Sequence, residues 1–208
     1  MTAQLYIAAK RPVPGRVKTR LAAAIGDAAA AALYRAFLAD LGSRFPDCVW
    51  YVTPAGWTPG GATLTQPTGD WTDRQRRLFR RATRHVQDRL VLIASDSPQV
   101  GAEVVAEAFG LLDRHDLVVG PVLDGGYYLI GMRGWHDVLA GVTMSTSSVF
   151  RDVVEGARAR GLSVATVEPT YDVDELSDLA LLELDAETRN DLPATRAALA
   201  ALRAGALA

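Results

Sequence analysis

The chain has 208 residues, 49% of them apolar, and 22 Lys and Arg against 24 Asp and Glu leave a net charge of −2. That is enough chain for one α/β unit over residues 1–208 with a sizeable core. The charge balance excludes a protein that coats nucleic acid, which needs a basic face. A single cysteine, Cys48, excludes a disulfide framework and a thiolate zinc site. No run approaches the ~20 apolar residues of a membrane span, and the first residues lack a secretory pattern, so a cytoplasmic protein with no membrane partner is expected.

Short apolar runs alternate with longer amphipathic ones, the pattern of an α/β fold with a largely parallel sheet. A strand is expected over 5–9, followed by a basic turn in which Lys10, Arg11, Arg16, Lys18 and Arg20 fall within eleven residues. A helix over 19–43 follows, with Leu21, Ile25, Leu33, Phe37 and Leu41 as its apolar stripe. Next come a strand over 49–53, with Cys48 as a small core residue, and a Pro-, Gly- and Thr-rich stretch over 53–69 that reads as loop. Further helices are expected over 73–87, 101–112, 147–160, 175–182 and 193–207, and strands over 90–94, 117–120, 127–132 and 163–167. Asp124-Gly125-Gly126 suits a hairpin turn between 117–120 and 127–132. Asp191 and Pro193 are a cap and a first-turn residue for the last helix, whose Ala- and Leu-rich face suits the sheet or a second copy of the chain, a homodimer.

Four constellations carry chemistry. In the basic turn Gly15 permits an unusual backbone angle, and the amides opening the next helix face any bound anion. Lys18 and Arg20 suit neutralising phosphate oxygens, with Arg16 closing over them. The spacing is not that of a Walker loop. In Ser95-Asp96-Ser97-Pro98 a buried strand ends on an aspartate that reads equally as a ligand or as a helix cap. Asp172 and Asp174 stand at i, i+2 in an extended segment and point the same way. Clustered carboxylates of this kind suit Mg²⁺, which takes one or two of them with waters and phosphates, although Asp174 or Ser177 also suits a cap. The Asp124-Gly125-Gly126 turn and Ser145-Thr146 offer backbone and hydroxyl groups to a ligand, or serve as turn and cap. His85, His115 and His136 have no ligand spacing and read as surface residues, and no Ser elbow or Cys–His pair points to a covalent nucleophile.

The segment 9–21, Ser95-Asp96-Ser97-Pro98, Gly120-Pro121, 124–131, Ser145-Thr146 and Tyr171-Asp172-Val173-Asp174 together resemble the DUF2064 group, in that group's order and across nearly the whole chain. Its members are GT-A-fold nucleotide-diphospho-sugar transferases, glycosyltransferases assigned to arsenosugar biosynthesis among them, and the group is similar to 2-phospholactate guanylyltransferases. The resemblance implies a three-layer α/β/α sandwich with a mostly parallel mixed sheet. It implies that Ala8, Ala9, Lys10, Gly15, Arg16, Lys18 and Arg20 handle nucleotide phosphates and that Gln66, Gly69 and Asp70 lie near base and ribose. It further implies that Asp124, Gly125, Gly126, Ser145 and Thr146 serve the acceptor, and that Asp96, Asp172 and Asp174 hold Mg²⁺ or Mn²⁺. Two departures stand out. Ser97 replaces a common cysteine, and Asp70-Trp71-Thr72-Asp73-Arg74-Gln75 replaces Asp-Leu-Gly-Glu-Arg-Met.

The expected activity is metal-dependent nucleotidyl transfer from a nucleoside triphosphate to a small phosphorylated acceptor, with release of pyrophosphate and with Lys18, Arg20 and Asp96 at its centre. Two alternatives stand beside it. One is glycosyl transfer from a nucleotide-sugar, with Asp124 as a base. The other is nucleotide binding without turnover.

Overall fold

A computed structural model describes residues 2–206. Its element order is β1 (Ala3–Lys10), α1 (Thr19–Ile25), α2 (Asp27–Arg44), β2 (Val49–Thr53), β3 (Ala62–Thr65), α3 (Trp71–Ala82), β4 (Arg89–Ala94), α4 (Ala102–Leu111), β5 (Leu117–Pro121), β6 (Tyr127–Arg133), α5 (Val149–Ala159), β7 (Val164–Thr166), α6 (Leu176–Thr188) and α7 (Pro193–Arg203). One seven-stranded sheet has the order β3-β2-β1-β4-β6-β5-β7. Only β6 runs against its neighbours, pairing antiparallel with both β4 and β5. This is the expected mostly parallel mixed sheet, and the hairpin through Asp124-Gly125-Gly126 supplies the reversed strand.

The strands read as unbroken apolar runs because helices cover both faces of the sheet. Leu5, Ile7, Ala9, Val91 and Ile93 face one core, with Leu33, Phe37 and Leu41 of α2, Val105 of α4 and Leu182 of α6. Tyr6, Leu90 and Leu92 face the other, with Leu78 and Phe79 of α3 and Val153 of α5. The result is the α/β/α sandwich.

Several boundaries differ from expectation, each for a local reason. The helix expected over 19–43 is broken at Gly26, whose φ of 88° only glycine adopts freely. β3 lies inside the stretch read as loop. It is a four-residue edge strand with three exposed side chains, so it carries no apolar alternation. α3 ends at Ala82 because Asp88 accepts hydrogen bonds from the amides of Arg84 and His85 and turns the chain out of the helix. The cap at Asp191 is a correction. That carboxylate pairs with Arg44 and Arg189, and the amides of Ala194 and Thr195 are capped from a distance by Asp40 of α2, at 2.9 and 2.8 Å. The expected end of this helix at Leu207 lies outside the described residues. Leu199 and Leu202 of α7 pack into the chain's own core, so this face gives no argument for a dimer.

Candidate active site

Chain order reverses between β1 and β4. After β1 the sheet grows through β2 and β3 on one side, and β4 then starts on the other. Open α/β sheets take ligands at such a crevice, outside the carboxyl ends of the strands. A cleft of about 700 Å³ opens there. Its floor is made of small residues, Ala8 and Ala9 of β1 and Ala94 of β4, with Ala8 and Ala94 paired in register. A cavity of about 340 Å³ adjoins it beneath Arg16, Val17, Lys18 and Thr19, and shares Lys10, Arg20, Tyr34, Asp96 and Asp174 with the cleft.

Asp96 follows β4, and helix α4 does not begin until Ala102, with Gly101 at its cap. The carboxylate therefore has no capping duty. The second acidic segment is carried to it by the backbone. Val173 donates its amide to Asp96 O at 3.0 Å, and its side chain is fully buried in the core. With Val173 turned inward, Asp172 and Asp174 on either side of it face the cleft. Gln99 holds the same segment through Thr170 Oγ1 and Tyr171 O, at 2.9 and 2.6 Å. Neither Asp174 nor Ser177 caps α6. Asp178 accepts from the amides of Asp174 and Glu175, which leaves the Asp174 carboxylate available.

Lys18 is placed differently from expectation. It takes left-handed backbone angles (φ 49°, ψ 45°) just before α1, a strain of about 1–2 kcal/mol for a residue with a Cβ. Its side chain is 3% exposed, and its ammonium touches Asp96 and lies 3.1 Å from Asp174. It stands near the rings of Tyr34 and Phe37, 5.8 and 6.0 Å from their centroids. Burial works to lower its pKa, but Asp96 and then Asp174 outweigh burial and hold the ammonium charged above its ordinary range. The cation expected to face phosphate thus sits between two of the expected metal ligands. Correspondingly, no three carboxylates form a ready metal cage among the described residues.

Asp172 lies behind this pair. Burial, and then the charge of Asp96, push its carboxyl up to about 7 against a hydrogen bond from Ser97 that favours the charged form. A desolvated carboxyl beside like charges is short of positive charge, and this donor set fits a hard divalent cation completed by phosphate oxygens. On the opposite lip Lys10 and Arg16 are exposed and make no ion pair among the described residues, and Arg20 makes only a 3.5 Å contact with Glu175. Tyr34 ties the lips together. Its hydroxyl shares a 2.7 Å hydrogen bond with Ser95 Oγ and accepts one from the Lys10 amide, and burial pushes its pKa up to about 12.

The other expected residues divide. Gln66, Asp124, Gly126, Ser145 and Thr146 line the cleft. Gly15, Gly69, Asp70 and Gly125 do not. Asp70 caps α3 through the Asp73 amide at 2.8 Å, while Gly69 O accepts from Arg74. Gly125 has a structural reason to be glycine. A Cβ there would stand 2.0 Å from Ser147 O, and its φ is 94°. Asp124 lines the cleft, but its carboxylate accepts the Gly126 amide at 2.9 Å. Sequence reasoning missed Trp71, Arg74, Tyr127 and Tyr34 as cleft residues. The departing segment at 70–75 already marked the first two. Arg74 bonds to Gln66 Oε1, and Gln66 Nε2 to Tyr51 O, so both polar heads are held in fixed orientation. All three histidines lie outside both cavities.

The family model described as an uncharacterised protein conserved in bacteria (DUF2064) matches residues 22–146. The chain belongs to this family. A 3-phospho-D-glycerate guanylyltransferase of Phenylobacterium zucineum (strain HLK1) is 32% identical over 170 residues, covering 73% of this chain and 75% of that one. The crystal structure of a protein of Desulfovibrio desulfuricans G20, assigned as a nucleotide-diphospho-sugar transferase, superposes with a TM-score of 0.87 at 28% identity over 99% of both chains. The 2-C-methyl-D-erythritol 4-phosphate cytidylyltransferase of Thermus thermophilus shares the fold, with a TM-score of 0.55 at 19% identity over 90% of this chain and all of that one. The GT-A-like fold and the expectation of a transferase are both met. Among the described residues no helix is long and apolar enough to cross a membrane.

Proposed function

We propose that this protein transfers a nucleotidyl group from a nucleoside triphosphate to a small phosphorylated acceptor, releases pyrophosphate, and uses Mg²⁺ or Mn²⁺ in the cytoplasm. One observation carries the reading. At the switch point, a lip of cations that are weakly paired or unpaired among the described residues, Lys10, Arg16 and Arg20, faces a carboxylate cluster in which Lys18 is the cation paired with Asp96 and Asp174. A triphosphate needs the first, and the divalent ion that accompanies it needs the second. The named activity of the Phenylobacterium relative agrees with this chemistry.

In this mechanism the triphosphate tail lies against Lys10, Arg16 and Arg20, which offset the charge that builds on the departing pyrophosphate. Lys18 orients Asp96 and Asp174 and sets a buried positive charge beneath the phosphates. When bound, Mg²⁺ would be held by Asp96 and Asp172 with Asp174, and would neutralise phosphate oxygens. Trp71, Gln66 and Arg74 border the base, and Gly126, Ser145 and Thr146 border the acceptor. An acceptor phosphate oxygen attacks the α-phosphorus in line and the bond to pyrophosphate breaks. An ionised phosphate needs no strong base, so positioning and electrostatics are sufficient.

The test is a panel of nucleoside triphosphates against phosphorylated acids, starting with GTP and 3-phospho-D-glycerate, read as pyrophosphate release with Mg²⁺ and with a chelator. Metal-dependent release with at least one pair is expected. Turnover of nucleotide-sugars with no pyrophosphate from any triphosphate would give the site to glycosyl transfer, the reading that the Desulfovibrio structure favours. Against that reading, the carboxylate available as its base, Asp124, is engaged by Gly126. Nucleotide binding without product for any acceptor would reduce the protein to a nucleotide-binding module.

A further inference from the structure

Helix α3 carries five arginines in twelve residues. Arg74 and Arg76 are engaged, the first by Gly69 O and Gln66 and the second by Asp137 and Asp73. Arg77, Arg80 and Arg81 are exposed and make no hydrogen bond or ion pair among the described residues. Their spacing puts them on one face of the helix, where like charges repel one another. That face borders a cavity of about 420 Å³ on the outer side of the sheet's edge. The floor is apolar, formed by Leu64, Pro67 and the nearly fully buried Tyr51 and Leu78. The far wall is the edge strand β3. The volume is that of a small-molecule site, and three exposed guanidinium groups above an apolar floor, Arg80 alone of them lying within electrostatic reach of Asp137, suit a ligand with an anionic head and an apolar body.

We propose that this cavity is a second ligand site, separate from the catalytic cleft, for a small organic anion carrying an aromatic or apolar body. β3 and α3 separate the two places. Gln66 and Arg74 border the cleft, whereas Thr65 and Arg77 border the cavity. Tyr51 connects them, because its hydroxyl donates to Arg74 O and its carbonyl accepts from Gln66, each at 2.7 Å. An occupant of the cavity therefore rests on the residue that fixes two groups of the cleft.

The probe is 8-anilinonaphthalene-1-sulfonate, an aromatic body with one anionic head, titrated into the whole chain and followed by fluorescence. Saturable binding near one equivalent is expected, unchanged by saturating GTP with Mg²⁺. It should weaken at least 10-fold when Arg77→Ala and Arg81→Ala are combined. Leu64→Trp, which fills the floor and leaves the charges in place, should weaken it comparably, with circular dichroism confirming that both variants fold. Absence of saturable binding, displacement by the nucleotide, or wild-type affinity in the arginine variant would each overturn the proposal. So would a dimer in sedimentation that Arg77→Glu with Arg81→Glu splits, because a second copy would then cover the face. The measurement uses neither turnover nor product, so its failure is distinct from failure of the transferase reading.

Discussion

Lys18→Met tests the centre of the site, because it removes one charge and keeps most of the packing against Tyr34 and Phe37. In the wild type the lysine side chain is 3% exposed, while the side chains of its partners Asp96 and Asp174 are 45% and 48% exposed. Removing one member of a fully buried pair costs about 3–5 kcal/mol, but these acids keep much of their water, so about 1–3 kcal/mol is expected. In a chain of 208 residues that lowers Tm by about 3–10 °C. Two facing carboxylates left without their lysine should then bind a divalent cation more tightly, so millimolar Mg²⁺ should recover more of the lost Tm in the variant than it adds to the wild type. Turnover should fall about 100–1000-fold, the usual effect of losing one group that stabilises developing charge. Differential scanning fluorimetry with and without Mg²⁺, together with pyrophosphate release, reads all three. A variant with wild-type Tm, no enhanced Mg²⁺ response and unchanged turnover would refute the reasoning.

Asp172 yields a pH prediction. Its pKa is raised to about 7, so above pH ~4 the folded state holds a proton that the unfolded chain releases, and stability falls as pH rises from there through about 7. In metal-free buffer Asp172→Asn should therefore gain Tm relative to wild type at pH 8 and gain little at pH 4.5, and equal differences at both would count against it. Asp40→Ala removes the remote cap of α7 and should destabilise by about 2–3 kcal/mol in urea titrations, with no change in the KM for the triphosphate. Trp71→Ala should raise that KM about 5–30-fold if the indole borders the base, a loss of about 1–2 kcal/mol of stacking, and should alter kcat little.

The residues legible in the sequence share one property, in that their roles follow from their immediate neighbours. β1 and β4 stand out because burial on both faces leaves no polar position to interrupt them. Asp172 and Asp174 stand out because one buried valine between two acids fixes which way the acids face. β3 was invisible for the opposite reason. It is exposed, and only pairing with β2 makes it a strand. Lys18 shows where local reading stops. Its position in a basic turn suggests a phosphate ligand, yet its environment is set by Asp96 and by Asp174, which lies 156 residues away in sequence. Asp40 likewise reads as one acid in an alanine-rich helix, and becomes a cap only when α7 arrives 154 residues later. Tyr34 stands beside the apolar stripe of Leu33, Phe37 and Leu41 with no local signal of its own, although its hydroxyl joins the ends of the two strands that define the cleft. Each of these groups was visible as a chemical type, and each acquired its role from a partner brought by the sheet's topology. The crossover that makes β1 and β4 neighbours is therefore the structural fact on which the site depends. Residues after β1, after β4 and after β7 have no sequence proximity, and they meet because the three strands end at the same edge of the sheet and the chain leaving β7, itself the far edge strand, crosses back past Val122 to Asp96.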